Sequence, residues 1–388
     1  MRLAAIADDL TGACDSGVQL VRAGYRTAVV FPGAPPPDDL DAVVADTDSR
    51  QLVPGLARER VAEAAGGLGD AGIVLKKLDS TLRGPVAAEM EAALEATGRR
   101  VAVVAPAFPA AGRITRGGVQ LLHGVPVHRT EFARDPRTPV TESDLASILR
   151  ANGPVSLLGA GDLGDPNRVR RALAASRWVV ADAEEDAHLE ALVHAVPNPS
   201  EVLWAGSAGL ALALGRVYPG PRPGEAGVRP VPARRVLVVV GSASGVAREQ
   251  RERLLAEPDV EGVTVEAPDV GAASGVARAA LESGGTAVLG PPAGEADPRE
   301  VIRALSGVAG SLEGCFDALV LTGGETALGV ARRLGGRGIL LDSEVEPGVP
   351  VGVMMGPRLY PVVTKAGGFG GPETLLRAVR VLRGEEGA

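Results

Sequence analysis

Three kinds of segment in this 388-residue chain set chemically useful side chains directly after short apolar runs. The first is ADDLTGACDSG, Ala7 to Gly17, which follows the apolar stretch beginning at Leu3. Adjacent carboxylates at Asp8 and Asp9 suit a general base toward a hydroxyl and an anchor for other hydroxyls, while Thr11 and Gly12 open a helix whose first N–H groups are free. The same residues would serve a plain capped helix entrance. The second is KKLDSTLRGP, Lys76 to Pro85, where Lys77, Asp79, Ser80, Thr81 and Arg83 crowd two cations and several hydroxyls into one turn. That turn suits a carboxylate or a phosphate, with Arg83 as a bidentate donor, and Pro85 can start the next helix. A surface ion-pair cluster is the alternative reading.

Third come glycine-rich turns in the C-terminal part: Gly241-Ser242-Ala243-Ser244-Gly245, Gly323-Gly324-Glu325-Thr326, and Thr364 to Gly371 with Lys365, Gly367, Gly368 and Gly370. Each follows an apolar run and precedes a helix-like stretch, so its N–H groups could face an anion. None matches a P-loop or a dinucleotide fingerprint, and each alone could be an ordinary tight turn. Three of them in one domain would be gathered on one sheet edge. The only lysines are Lys76, Lys77 and Lys365, all beside such turns, in a chain whose other basic residues are Arg. That choice hints at a compact ammonium for phosphate.

Apolar runs at Leu3–Ala7, Thr27–Phe31, Ala42–Ala45, Ile73–Leu75, Val101–Ala105 and Val179–Ala181 alternate with Ala-rich helical stretches. After a Pro/Gly-dense segment the alternation resumes at Val236–Val240, Val263–Val265, Ala287–Leu289, Ala318–Leu321, Ile339–Leu341 and Val351–Met354. The expected fold is α/β in two domains, each a largely parallel sheet covered by helices. Residues 1–217 form the first, 218–233 the linker and 234–388 the second. Between them and the first turns, Pro106 to Val140 reads as one long polar loop. Arg113, Thr115, Arg116 and Gly118 in it are further substrate contacts, and Arg134 and Asp135 could be a structural pair. His123 and His128 lack a third group at metal or triad spacing.

A length of 388 residues fits two cores better than one. The formal net charge of -8 excludes a broad nucleic-acid face, so any anion must be met locally. Cys14 and Cys315 stand apart without ligand spacing, which suits a reducing compartment and offers no metal site. No signal-like h-region or membrane-length apolar run is present, so the expectation is a soluble, cytoplasmic protein that engages neither membrane nor nucleic acid.

Taken in order, ADDLTG with Asp15, KKLDSTLRG, PAFPAAGR, HGVPV, FARDP, GSAGLA, GSAS with Gln250, TGGET and TKAGGFG resemble the four-carbon acid sugar kinases, a family that includes D-threonate, D-erythronate and 3-oxo-tetronate kinases. The resemblance covers nearly the whole chain. It implies a transferase that carries the ATP γ-phosphate to the terminal hydroxyl of a four-carbon sugar acid, a step of carbohydrate metabolism. By matching positions, Asp8, Asp9, Lys77, Asp79, Ser80 and Arg83 would surround the acid. Ser242, Ser244, Gly323 to Thr326 and Gly367 to Gly370 would surround ATP. The chain departs from the family pattern at Cys14, Pro85, Ile114 and Ala247, and two of these, Pro85 and Ile114, border the expected acid site.

The mechanism this implies is in-line transfer with Mg²⁺ bridging phosphate oxygens, Asp9 or Asp8 deprotonating the hydroxyl, Lys77 and Arg83 holding the carboxylate, and domain closure excluding water. Rivals are a kinase of another small sugar acid or polyol, a dehydrogenase, and a non-catalytic nucleotide- or metabolite-sensing protein. The missing fingerprint counts against the dehydrogenase, and the paired acids and cations against the sensor. A homodimer is an open alternative to the monomer.

Overall fold

The computed structural model describes residues 2–68, 71–266, 270–292 and 297–385. The chain divides into two compact units, residues 1–226 and 227–388. The division falls inside the Pro/Gly-dense stretch. Its first half stays with the N-terminal unit, where Tyr25 donates to the Tyr218 carbonyl and Arg222 pairs with Asp41. Near its far end the Ala233 N–H donates to the Leu382 carbonyl of the second unit.

In the N-terminal unit the strands are β1 (Leu3–Ala7), β2 (Thr27–Val30), β3 (Ala42–Asp46), β4 (Ile73–Lys77), β5 (Val101–Ala105), β6 (Arg113–Arg116), β7 (Val119–Leu122), β8 (Val125–Pro126), β9 (Val155–Leu158), β10 (Trp178–Ala181) and β11 (Val202–Gly206). The helices are α1 (Leu10–Arg22), α2 (Pro54–Gly66), α3 (Val86–Ala96), α4 (Leu145–Leu149), α5 (Pro166–Ala175), α6 (Asp186–Ala195) and α7 (Ala208–Val217). Eight strands lie in the order β2-β3-β1-β4-β11-β5-β10-β9, and every pair is parallel. The central strands are apolar and buried along their length, as LAAIA of β1 shows, because helices cover both faces. The chain leaves β1 toward β2 through α1 but crosses from β3 to β4 through α2. Right-handed crossovers in opposite directions put these helices on opposite faces, and accordingly α1 packs on α7 while α2 packs on α3. The strand order therefore reverses around β1, which opens a crevice at the carboxyl ends of β3, β1 and β4.

The stretch from Pro106 to Val140 is not one long loop. It folds into the small antiparallel sheet β6-β7-β8 with short 3-10 turns before and after. Strands of two to four residues joined at Gly117-Gly118 and His123-Gly124 are too brief for a periodicity to register against turn residues.

In the C-terminal unit the strands are β12 (Val236–Val240), β13 (Val260–Thr264), β14 (Thr286–Gly290), β15 (Ala318–Thr322), β16 (Gly338–Glu344), β17 (Pro350–Met355) and β18 (Tyr360–Lys365). Its helices are α8 (Gly245–Leu255), α9 (Val270–Glu282), α10 (Pro298–Ser311), α11 (Gly324–Arg333) and α12 (Thr374–Arg383). The order is β13-β14-β12-β15-β18-β17-β16. The first five pair in parallel, and β18-β17-β16 forms an antiparallel meander without intervening helices. Here too the crossovers reverse, between β12 and β15, so the turns after β12, β15 and β18 share one edge. No helix among the described residues is long and apolar enough to cross a membrane.

Candidate active site

At the crevice of the N-terminal unit, Asp9 caps α1: its Oδ1 accepts from the Gly12 N–H at 3.0 Å and its Oδ2 from the Thr11 hydroxyl at 2.6 Å. Asp8 lies deeper, 3% exposed. Both carboxylates meet a residue that the sequence reading passed over, Arg50. Its guanidinium forks onto Asp8 at 2.7 and 3.0 Å and reaches Asp9 at 2.5 Å. Burial alone would raise the Asp8 carboxyl, but Arg50, with Lys76 and Lys77 nearby, holds it below the usual range. Arg50 carried a signal of its own: DTDSR follows an apolar strand as ADDLTG and KKLDST do.

The turn after β4 supplies the opposite wall. Asp79 accepts from Thr81 Oγ1 at 2.7 Å and from Arg83 Nε at 2.5 Å. Burial opposes its ionisation, yet Arg83 and Arg50 hold the carboxyl well below the ordinary range. Arg83 also lies over the Phe132 ring at 5.2 Å and stands 3.7 Å from Asp135, so Asp135 faces Arg83 instead of pairing with Arg134. The Ser80 carbonyl accepts from Gln120, which fixes this turn to β7. Lys77 is buried and donates to the Leu78 carbonyl at 2.9 Å. Its Nζ lies 2.8 Å from where a Cβ on Gly12 would stand, so only glycine admits the ammonium there. Arg113, on β6, is half-buried; desolvation lowers its pKa, while Asp79 and Asp15 pull the other way.

Lys76 takes no part in this surface. It is fully buried, pairs with Glu89 of α3 at 2.9 Å, and Glu89 accepts from Ser49 at 2.6 Å. Adjacent residues on a strand point to opposite faces, so Lys77 and Lys76 cannot share a ligand. The phosphate hint is therefore corrected for Lys76, which braces the loop carrying Arg50. Asp48 and Leu82, in the two loops around the site, adopt φ of 50° and 60°, as His123 does at 47° in the turn between β7 and β8. Asp46, at the end of β3, is driven well above the usual carboxylate range by burial and by Asp48, Asp9 and Asp8.

In the C-terminal unit the three glycine-rich turns meet. Thr326 packs where a side chain on Gly241 would lie, and the Gly323 N–H donates to the Lys365 carbonyl. Ser242 fills the space a Cβ on Gly367 would need, and Ser244 Oγ donates to the Gly367 carbonyl at 2.7 Å. Lys365 Nζ reaches the same carbonyl at 3.3 Å, and burial brings its pKa down from 10.5 to about 8 against the pull of Glu346. The N–H groups of Gly367, Gly368 and Gly370 have no partner among the described residues. Unpaired successive donors beside a buried ammonium form a concavity suited to phosphate oxygens. Gly324 and Glu325 open α11 on the same edge, where helix N–H groups are available. Sequence reasoning missed Glu346, whose partners lie in α12 and could not be paired with it by spacing.

Comparison with known proteins agrees with this division of labour. Residues 3–214 match the family described as "Sugar-binding N-terminal domain", and residues 237–375 match "Nucleotide-binding C-terminal domain". The chain is 35% identical to the D-threonate kinase of Salmonella typhimurium over 98% of each chain. It is 37% identical to the D-threonate kinase of Bordetella bronchiseptica over 97% of this chain and 96% of that one. A 3-oxo-tetronate kinase of Methylobacterium radiotolerans is 30% identical over 98% and 99%. Among solved structures, one from Salmonella typhimurium shares the fold with a TM-score of 0.83 at 24% identity, covering 98% and 99% of the two chains. One from Bordetella bronchiseptica, 33% identical over 99% of each with a TM-score of 0.51, holds citrate and is a domain-swapped dimer.

Proposed function

The chain belongs to the four-carbon acid sugar kinases and is an ATP-dependent enzyme of that class, and we propose that it phosphorylates the terminal hydroxyl of a four-carbon acid such as threonate, erythronate or 3-oxo-tetronate. The observation that carries this reading is the convergence, at one strand-order reversal, of a partly exposed carboxylate and a ring of fixed cations. Asp9, with 18% of its side chain exposed, is open to a ligand, whereas Asp8 is covered and committed to Arg50. Asp9 therefore aims the attacking hydroxyl and receives its proton. Lys77 and Arg83 hold the substrate carboxylate, Arg50 joins them from the loop after β3, and Asp79, Ser80 and Arg113 meet the remaining hydroxyls. A citrate-bound relative is consistent with a site built for carboxylates.

The nucleotide phosphates take the N–H groups of Gly367, Gly368 and Gly370, with Lys365, Ser242, Ser244 and the Gly323–Thr326 turn around them. Mg²⁺ would enter with the nucleotide and supply charge neutralisation at the phosphates, since no cluster of acids, His or Cys among the described residues could hold it alone. We propose a cytoplasmic enzyme that pairs into a homodimer, a reading supported by the domain-swapped dimer of the Bordetella relative. The test is ADP release with ATP and Mg²⁺ against D- and L-threonate, D-erythronate, the 2- and 3-oxo-tetronates and five-carbon acids. One four-carbon acid should dominate, and Asp9→Asn should lower turnover at least about 100-fold. Turnover within a few-fold in that variant would remove Asp9 from its role, and turnover confined to the five-carbon acids would overturn the substrate class.

A further inference from the structure

Two side chains outside the glycine-rich turns, Gln250 and Glu346, both grip the turn from Gly367 to Gly371. Gln250, on α8 and fully buried, donates from Nε2 to the Phe369 carbonyl at 3.0 Å and to the Gly371 carbonyl at 2.8 Å. Glu346, just after β16, accepts from the Gly371 N–H at 3.3 Å and from the side chains of Thr374 and Arg377. The same hydroxyl, with one proton to give, also lies 2.9 Å from the Gly371 carbonyl. Together with Ser244 and Lys365 on the Gly367 carbonyl, these side chains occupy three carbonyl oxygens of the turn while leaving three of its N–H groups unpaired.

From this polarity we infer that Gln250 and Glu346 are positioning residues for ATP: Gln250 turns the Phe369 carbonyl inward and so presents the Gly370 N–H to the phosphates, while Glu346 anchors the end of the loop through the Gly371 N–H, Thr374 and Arg377. The inference rests on the nucleotide site proposed above. A peptide unit's dipole is fixed by its plane, so releasing a carbonyl lets the plane rotate and replaces a donor with a repelling oxygen. A glycine-rich loop has little else to resist that rotation. Only the amide of Gln250 fits the role at its position. A carboxylate there would face two carbonyl oxygens with like partial charge, and a methionine would fill the space without donating.

The experiment measures KM for ATP, KM for the acid and kcat in the full-length enzyme, together with binding of the acid by calorimetry. Gln250→Met should raise the ATP KM about tenfold while the acid KM and acid binding stay within about twofold, and Gln250→Glu should be worse. Glu346→Gln, which keeps the size and one accepting oxygen, should move the ATP KM in the same direction by about threefold, and it carries the test if Gln250→Met does not fold. Unchanged ATP KM in both variants overturns the inference, as does a joint rise of both KM values with loss of acid binding, which would mark a merely structural role. Gly367→Ala separates this from the site itself. If that variant also leaves ATP binding intact, the nucleotide-site reading fails; if it alone weakens ATP, the site stands and the clamp does not.

Discussion

At the scale of single residues, the N-terminal site depends on Arg50 more than on any cation named from the motifs. Its fork neutralises Asp8 and touches Asp9, so Arg50→Ala should lower kcat/KM by about 100-fold or more, leaving two adjacent carboxylates uncompensated. Arg50→Lys should recover little, because one ammonium cannot reproduce a planar fork. Steady-state kinetics on the two variants checks both statements. Lys365 gives a pH prediction. Burial holds its folded pKa at about 8, below the ordinary 10.5, so the ammonium is charged below that pH and lost above it. The ATP KM should be flat in the acid and neutral range and climb as the pH passes through 8, and Lys365→Arg should remove the break. The linkage has the opposite sign for stability. Between the two values the unfolded chain holds a proton that the folded one has released, so this group favours folding more as the pH rises.

Among the elements, the loop after β3 is held from beneath by β4 and α3. The chain Lys76–Glu89–Ser49 links three elements through groups that are all buried. Glu89→Ala should cost about 3–5 kcal/mol in denaturant unfolding, because it strands a buried ammonium, and it should lower activity by displacing Arg50. Replacing Lys76 and Glu89 together with apolar residues should cost less than Glu89→Ala alone. Segments such as LAAIA and VLVVV were legible because a doubly covered parallel strand is apolar throughout. Others were not. β9 is an edge strand whose residues VSLL are mostly uncovered, and β13 begins three residues before the Val263–Val265 run because its edge position leaves Val260 part-covered and Glu261 and Gly262 exposed. The runs of β16 and β17 were legible, but their antiparallel pairing in the meander with β18 was not, because nothing in an apolar run says which way its neighbour points.

For the whole molecule, two units with separate cores predict two responses to ligand. In calorimetry of the intact chain, an acid substrate at about 100 times its Kd should stabilise the N-terminal unit by about 2.7 kcal/mol, and this shift should vanish in Arg50→Ala. A non-hydrolysable ATP analogue should stabilise the C-terminal unit, and that shift should vanish in Gly367→Ala. If each ligand moved both transitions equally, the division of binding between the units would be wrong. The α/β class and the three kinds of turn were determined by sequence alone, because each rests on local chemistry: apolar runs, glycines at strand ends, and charged residues packed into a few positions; the kinase family came from the resemblance of the ordered segments to that family. Tertiary structure decided which charges face one another. Arg50 lies more than forty residues from the acids it neutralises, and Gln250 more than a hundred from the loop it grips. Lys76 and Lys77 are neighbours in sequence but are sent to opposite faces by the strand that carries them. Pairing across such distances depends on strand order and register, which no local pattern encodes.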